Sequence, residues 1–239
     1  LTDIVAPHRD ARGRIDLVPP PVACMDTIVA AGAARGPLTV ELAVTADDLA
    51  AGDALLESLF PGRSGPLVVL NDNSSNGAAR AWGPKNHARL AAWLLDHIPA
   101  ARVLVHCGPG DRDQARKVVE RANLAAVRGL HDTPDLPISL SKSVFARASL
   151  AVSSDSGPRH IAAAFGVPTV ALVGPVDPRL GRSDPAGCVE IRLDLACSPC
   201  GRKDCPLGHH DCMRLITVEQ VGRAALDLLA RRTGTSRAG

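Results

Sequence analysis

Val152-Ser153-Ser154-Asp155-Ser156-Gly157-Pro158-Arg159-His160-Ile161-Ala162-Ala163-Ala164-Phe165-Gly166-Val167-Pro168-Thr169-Val170-Ala171-Leu172-Val173-Gly174 is the stretch on which the reading of this chain turns. It reads as a strand, a tight turn, a short helix, a loop and a second strand. The apolar residues Leu150 to Val152 run into Ser-Ser-Asp-Ser-Gly-Pro. Ser156 stands where a helix N-cap is expected, and Pro158 suits the first helical turn. Arg159 to Phe165 is rich in Ala and stops at Gly166, a C-terminal signal. Val170 to Val173 is a short apolar run of the kind buried in a parallel sheet. Such a unit aims helix amides at the carboxyl end of a strand, where open α/β sheets bind ligands and anions are favoured. Asp155, Ser156 and His160 sit at that mouth. Spacing alone leaves a second reading open, a βαβ turn that binds nothing.

The same rhythm extends on both sides. Strands are expected at Leu67 to Leu70, Val103 to His106, Ala126 to Leu130 and Cys188 to Leu193. Helices are expected at Lys85 to Ile98, Asp111 to Asn123, Ser139 to Ala148 and Thr217 to Arg231. Strands alternating with helices imply an α/β fold with a parallel, doubly wound sheet. Before Pro66 the pattern is looser. Residues 1 to 21 are charged and then Pro-rich, a connection rather than a core element. Val22 to Ala34 has helical periodicity, and Leu38 to Val44 alternates like a strand. Thr45-Ala46-Asp47-Asp48 opens a helix that runs to about Leu59. There is no internal repeat.

At 239 residues the chain holds one large domain, or one and a half smaller ones. Three Phe, two Trp and no Tyr argue against a base-stacking nucleic-acid module. A net charge of +2 supplies no field for nucleic acid or anionic lipid. No apolar run approaches bilayer length, and the first residues lack the apolar core of a signal peptide. The expected location is therefore cytoplasmic. With no initiator Met at its start, the expectation is a chain that begins part-way through a longer protein.

Three loops meet at the carboxyl edge of such a sheet. Asn71 to Trp82 offers Arg80 as a phosphate clamp, or else a solvated loop with one exposed Arg. Gly108-Pro109-Gly110-Asp111 places a carboxylate where a ribose hydroxyl pair is bound in related folds. Asp111 and Asp113 are equally N-cap candidates. The third loop is the Asp155 to His160 turn, with His160 a neutral or charged donor. Neither a P-loop nor a G-x-G-x-x-G motif is present. Four cysteines, Cys197, Cys200, Cys205 and Cys212, lie within sixteen residues beside His209 and His210. A structural zinc knuckle and a metal-free thiol loop both remain open for them. Cys24, Cys107 and Cys188 are expected to be buried thiols.

With these residues in view, the chain resembles the heptosyltransferase family, glycosyltransferase family nine, and within it the lipopolysaccharide heptosyltransferase II branch. The resemblance rests on Asp155-Ser156-Gly157-Pro158-Arg159-His160-Ile161-Ala162-Ala163-Ala164, continuing through Gly166 to Leu172 and Gly174-Pro175-Val176-Asp177-Pro178. It rests equally on Cys197-Ser198-Pro199-Cys200 with Cys205-Pro206-Leu207-Gly208-His209-His210-Asp211-Cys212-Met213. The similarity extends weakly back to about Pro66.

The resemblance implies a GT-B architecture of two Rossmann-like domains, one binding an ADP-sugar donor and the other a lipid-linked saccharide acceptor. Residues 63 to 239 would form the donor domain with its Cys-rich loop 197 to 212, and residues 1 to 62 a remnant of the acceptor domain and linker. By position, Arg80, Asp155, Ser156, Gly157 and His160 match the diphosphate-binding residues, and Asp111 the ribose-binding acid. Arg80 stands where the family usually has Lys, and Asn71 to Gly77 departs from its usual Asn-Pro-Gly-Ala. The family's general base, an Asp, lies near the start of the absent portion, so no catalytic residue is assigned here. The implied reaction is an inverting transfer of heptose from ADP-heptose to a lipopolysaccharide core, with no cofactor required. The implied setting is the cytoplasm at the inner face of the inner membrane, with peripheral association. Two alternatives stand beside it: a family member using another nucleotide sugar, and a non-catalytic nucleotide-binding fragment.

Overall fold

The computed structural model of the protein describes residues 5–72, 77–181 and 187–235. Six strands form one parallel sheet: β1 (Leu67–Asn71), β2 (Arg102–His106), β3 (Val127–Gly129), β4 (Leu150–Ser154), β5 (Thr169–Leu172) and β6 (Cys188–Ile191). Their order is β3-β2-β1-β4-β5-β6, every neighbouring pair parallel. The chain thus winds outward from β1 in one direction and from β4 in the other. The doubly wound α/β expectation holds, and the strand order reverses between β1 and β4.

Strands covered on both faces should read as continuous apolar runs, and β1 does. Leu67, Val68, Val69 and Leu70 are at most 1% exposed. On one face lie α3 (Pro84–His97), α4 (Arg112–Ala122) and α8 (Val218–Thr235), which touch one another through α3. The other group is α2 (Ala46–Leu59), α5 (Ile138–Ala146) and α6 (Gly157–Ala164), joined through α5. Gly166 ends α6 as expected: at φ +63° it lets its own N–H and that of Val167 cap the last carbonyls.

The N-terminal part behaves differently. A helix α1 (Pro20–Ala30) forms with no buried residue, and no described residue before Gly52 is buried. The strand expected over Leu38 to Val44 is not formed. Alternation alone does not make a strand; a neighbouring ladder must pair it, and none lies alongside. Packing with the sheet begins at α2, inside the span 1 to 62 that the sequence reading set apart. Its Leu56, with Phe60 just beyond, enters the common core. Gly52 meets Ser143 of α5 so closely that an added Cβ would fall 2.7 Å from the Ser143 Cβ. Among the described residues no helix is long and apolar enough to cross a membrane.

Candidate nucleotide-binding site

The site is built at the point of strand-order reversal. Asn71 ends β1, directly in register with His106 of β2 and Ser153 of β4. Beyond β1 the chain folds around Asp72. Its carboxylate accepts the N–H groups of Trp82 at 2.8 Å and Gly83 at 2.9 Å, with His87 Nε2 3.2 Å away. Trp82 is itself buried and donates its indole N–H to the Ile216 carbonyl at 2.9 Å. The loop is thereby turned back over the sheet edge, carrying Arg80. Of the sequence run Asn71 to Gly77, residues 73 to 76 lie outside the described residues.

Arg80 reaches the turn after β4. Its Nη1 donates to the Asp155 carbonyl at 2.8 Å and lies 3.6 Å from the Asp155 carboxylate. The turn then opens α6, eight residues long, at Gly157. A Cβ added to Gly157 would meet nothing within 4 Å, so α6 opens to free space at Gly157, between the buried Ser156 and Pro158. A guanidinium and a helix N-terminus are thus adjacent, both favourable to an anion.

Asp155 is 6% exposed and held between two cations. Arg159 Nη1 donates to its carboxylate at 2.8 Å, while Arg159 Nη2 donates to the Gly181 carbonyl at 2.7 Å and to Glu190 at 2.8 Å. Arg159 is 3% exposed. The sequence reading treated it as a plain helix residue. Its i,i+4 spacing from Asp155 was the available signal; the contacts to Gly181 and Glu190 were not readable locally.

Ser156 occupies the N-cap position of α6, but its side chain makes no capping bond. Instead its hydroxyl donates to Asn71 Oδ1 at 3.3 Å, drawn into the polar cluster at the strand ends. His160 is half-buried, and burial, assisted by the neighbouring Arg159 charge, lowers its pKa below the ordinary value. It is therefore a neutral donor at pH 7. Asp111 lies at the same sheet edge beyond β2, in the N-cap position of α4, where it makes no capping hydrogen bond. The structure brings Arg80, Asp155, Ser156, Gly157 and His160 together around one turn and sets Asp111 farther along the edge.

The Cys-rich segment packs behind this turn and contains a short helix, α7 (Asp211–Arg214), that the sequence reading did not foresee. Cys197, Cys200, Cys205 and Cys212 line one cavity of about 20 Å³ together with His209 and His210. Among the described residues no group of three or more His, Cys, Asp or Glu is arranged to hold a metal ion. The Cys205 sulfur accepts the His210 N–H at 3.4 Å, and the His210 ring is directed to a backbone carbonyl. Of the remaining cysteines, Cys107 is buried as expected, Cys188 is half-buried and Cys24 is exposed on α1, which packs against no core.

A parallel, doubly wound sheet whose strand order reverses at this turn defines a Rossmann-like type of domain. Comparison with known proteins narrows this. Residues 30–210 match the family described as "Glycosyltransferase family 9 (heptosyltransferase)". The chain belongs to glycosyltransferase family 9, a transferase family. It is 30% identical over 176 residues to lipooligosaccharide heptosyltransferase 2 of Campylobacter jejuni, covering 70% of this chain and 52% of that protein. Among solved structures it is similar to E. coli ADP-heptose lps heptosyltransferase II, with TM-score 0.66 and 22% identity over 81% of this chain and 54% of that one. E. coli heptosyltransferase WaaC with ADP gives TM-score 0.57 and 20% identity over 82% of this chain and 52% of that one. The chain spans about half the length of the curated heptosyltransferase 2 relatives it matches.

Proposed function

We propose that this chain carries the donor-binding half of a heptosyltransferase, which transfers heptose from ADP-heptose to a lipopolysaccharide core acceptor with inversion. The observation that carries the reading is the delivery of Arg80 to the turn where α6 opens at the exposed Gly157. As ADP leaves the sugar, negative charge grows on its β-phosphate. Amides at Gly157 and the Arg80 guanidinium stabilise that charge more in the transition state than in the ground state. His160 adds a neutral N–H donor, and Asp111 is the candidate partner of the ribose hydroxyls.

Asp155 takes a supporting part in this scheme. A carboxylate does not attract phosphate; wedged between Arg80 and Arg159, it aims the Arg80 cation. The general base and the acceptor contacts belong to the other half of a full-length enzyme. Ile15, Ile28, Leu38 and Leu42 are exposed on the N-terminal segment, as expected of a remnant whose packing partner is another domain. A lipid-linked acceptor would bring such an enzyme to the inner face of the membrane as a peripheral protein.

Calorimetric titration with ADP, GDP and UDP tests the reading. Selective ADP binding supports it, and equal affinity for all three would overturn ADP-sugar specificity. Arg80→Ala is expected to weaken ADP binding roughly 10- to 100-fold, the span of a charge-assisted hydrogen bond. Unchanged affinity in the folded variant would remove Arg80 from the site.

A further inference from the structure

The peptide that carries Arg80 is gripped from outside its own loop, by the Cys-rich segment. Ala79 is 3% exposed, and both of its backbone groups are bonded to that segment. Its N–H donates to the Lys203 carbonyl at 2.9 Å. Its carbonyl lies 2.6 Å from His210 Nε2, across 131 positions of sequence. A carbonyl only accepts, so this ring nitrogen carries the proton. Two residues earlier, Gly77 runs so close to Lys203 that an added Cβ would fall 2.3 Å from its carbonyl oxygen, and φ +122° there also excludes other residues.

His210 is itself fixed. Its backbone N–H donates to Cys205 Sγ at 3.4 Å, and its φ of +57° is a left-handed conformation that residues other than Gly rarely adopt. That conformation, together with the start of α7 at Asp211, holds the backbone from which the ring crosses to Ala79. A continuous run of contacts leads from Cys205 through His210 and the Ala79–Arg80 peptide to the Asp155 turn.

We propose that His210 is a positioning residue for donor binding: by holding the Ala79 carbonyl it sets the direction in which Arg80 is presented to the donor diphosphate. The inference rests on the reading of Arg80 given above. It assigns the Cys-rich segment a place in phosphate recognition without requiring that segment to touch the ligand.

The test compares wild type, His210→Ala, His210→Gln, Arg80→Ala and the double variant Arg80→Ala/His210→Ala. Each is titrated with ADP and with adenosine, and thermal unfolding checks that each is folded. His210→Ala is expected to weaken ADP roughly tenfold and leave adenosine within about twofold. His210→Gln, which retains an N–H donor, should recover most of the loss. In the double variant the His210 change should add nothing to the Arg80 change. Equal losses for ADP and adenosine, or additive losses in the double variant, would overturn the proposal. If wild type binds no ADP, the donor reading itself fails. Hydrogen exchange at the Ala79 to Ala81 amides then decides whether His210 positions Arg80. Exchange accelerated about tenfold in His210→Ala retains that part, and unchanged exchange sinks it.

Discussion

Arg159→Met is expected to destabilise the protein by about 3–5 kcal/mol, the cost of breaking a buried ion pair from one side. Arg159 is 3% exposed, and its two terminal nitrogens serve Asp155, Glu190 and the Gly181 carbonyl. Met fills similar volume with no donor. Among the described residues, the Asp155 carboxylate would then retain only the longer contact to Arg80, and Gly181 and Glu190 would lose the Arg159 bonds. Glu190 is partly solvated, with its side chain 21% exposed, so most of the loss should come from Asp155. Urea unfolding at neutral pH measures the effect, and a loss below about 1 kcal/mol would show that the group is held together by its surroundings. Arg159→Lys should not restore stability, because one ammonium cannot reproduce a planar fork directed at three acceptors. Neutralising the carboxylates as well, in Arg159→Met/Asp155→Asn/Glu190→Gln, should recover part of it.

Acid should weaken the fold through His106. The ring is 5% exposed at the end of β2, and burial pushes its pKa down to about 4. Its hydrogen bonds specify the neutral form: Asn71 Nδ2 donates to Nδ1 at 3.1 Å, leaving Nε2–H to donate to the Ser141 hydroxyl at 2.9 Å. Asn71 Nδ2 also reaches the His106 carbonyl at 3.4 Å while Oδ1 accepts from the Ser156 hydroxyl, which fixes the amide orientation. Between pH 6.5 and about 4 the unfolded chain binds a proton here that the folded chain does not. Stability from this group is therefore complete above pH 6.5 and falls as the pH drops toward 4, by on the order of 3 kcal/mol. His160 is shifted in the same direction and adds to the slope. Denaturant midpoints at pH 7.5 and 4.5 should differ by much less in His106→Gln than in wild type. An unchanged difference would place the acid sensitivity elsewhere.

What was readable in the sequence divides by the range of the forces involved. The turn from Leu150 to Gly166 was legible because apolar run, Pro and Gly act within a few residues, and β4, α6 and the Gly166 cap formed in their places. The apolar strands were legible because burial on both faces demands unbroken hydrophobic runs. Leu38 to Val44 carried the alternation of a strand, yet pairing is a property of neighbours that a local pattern does not contain. Ser156 failed as a cap because its hydroxyl has competing acceptors, Asn71 Oδ1 from 85 positions away and the Ser154 carbonyl, both at 3.3 Å. The candidate diphosphate residues Arg80, Asp155, Ser156 and His160 stood out from turn chemistry and charge, the family resemblance added Gly157, and the turn does gather them. Their supports, Arg159 with Glu190 and Ala79 with His210, join segments 31 and 131 positions apart and had no local signature. The cysteine spacing drew attention to a true structural unit. The four sulfurs line one cavity, with the Cys205 sulfur and the His210 ring also engaged by backbone groups.

The burial of Trp82 gives the protein an optical reporter at the place where it matters. The chain has two tryptophans. Trp93 is stacked on His97 with ring centroids 3.8 Å apart, on the far end of α3 from the site. Trp82 is two positions from Arg80, pinned by Asp72 and Ile216 and edge-on to His87 at 5.1 Å. Any rearrangement of the Arg80 loop must alter the surroundings of that indole. Emission recorded in Trp93→Phe protein should therefore follow occupancy of the turn directly, with no label attached.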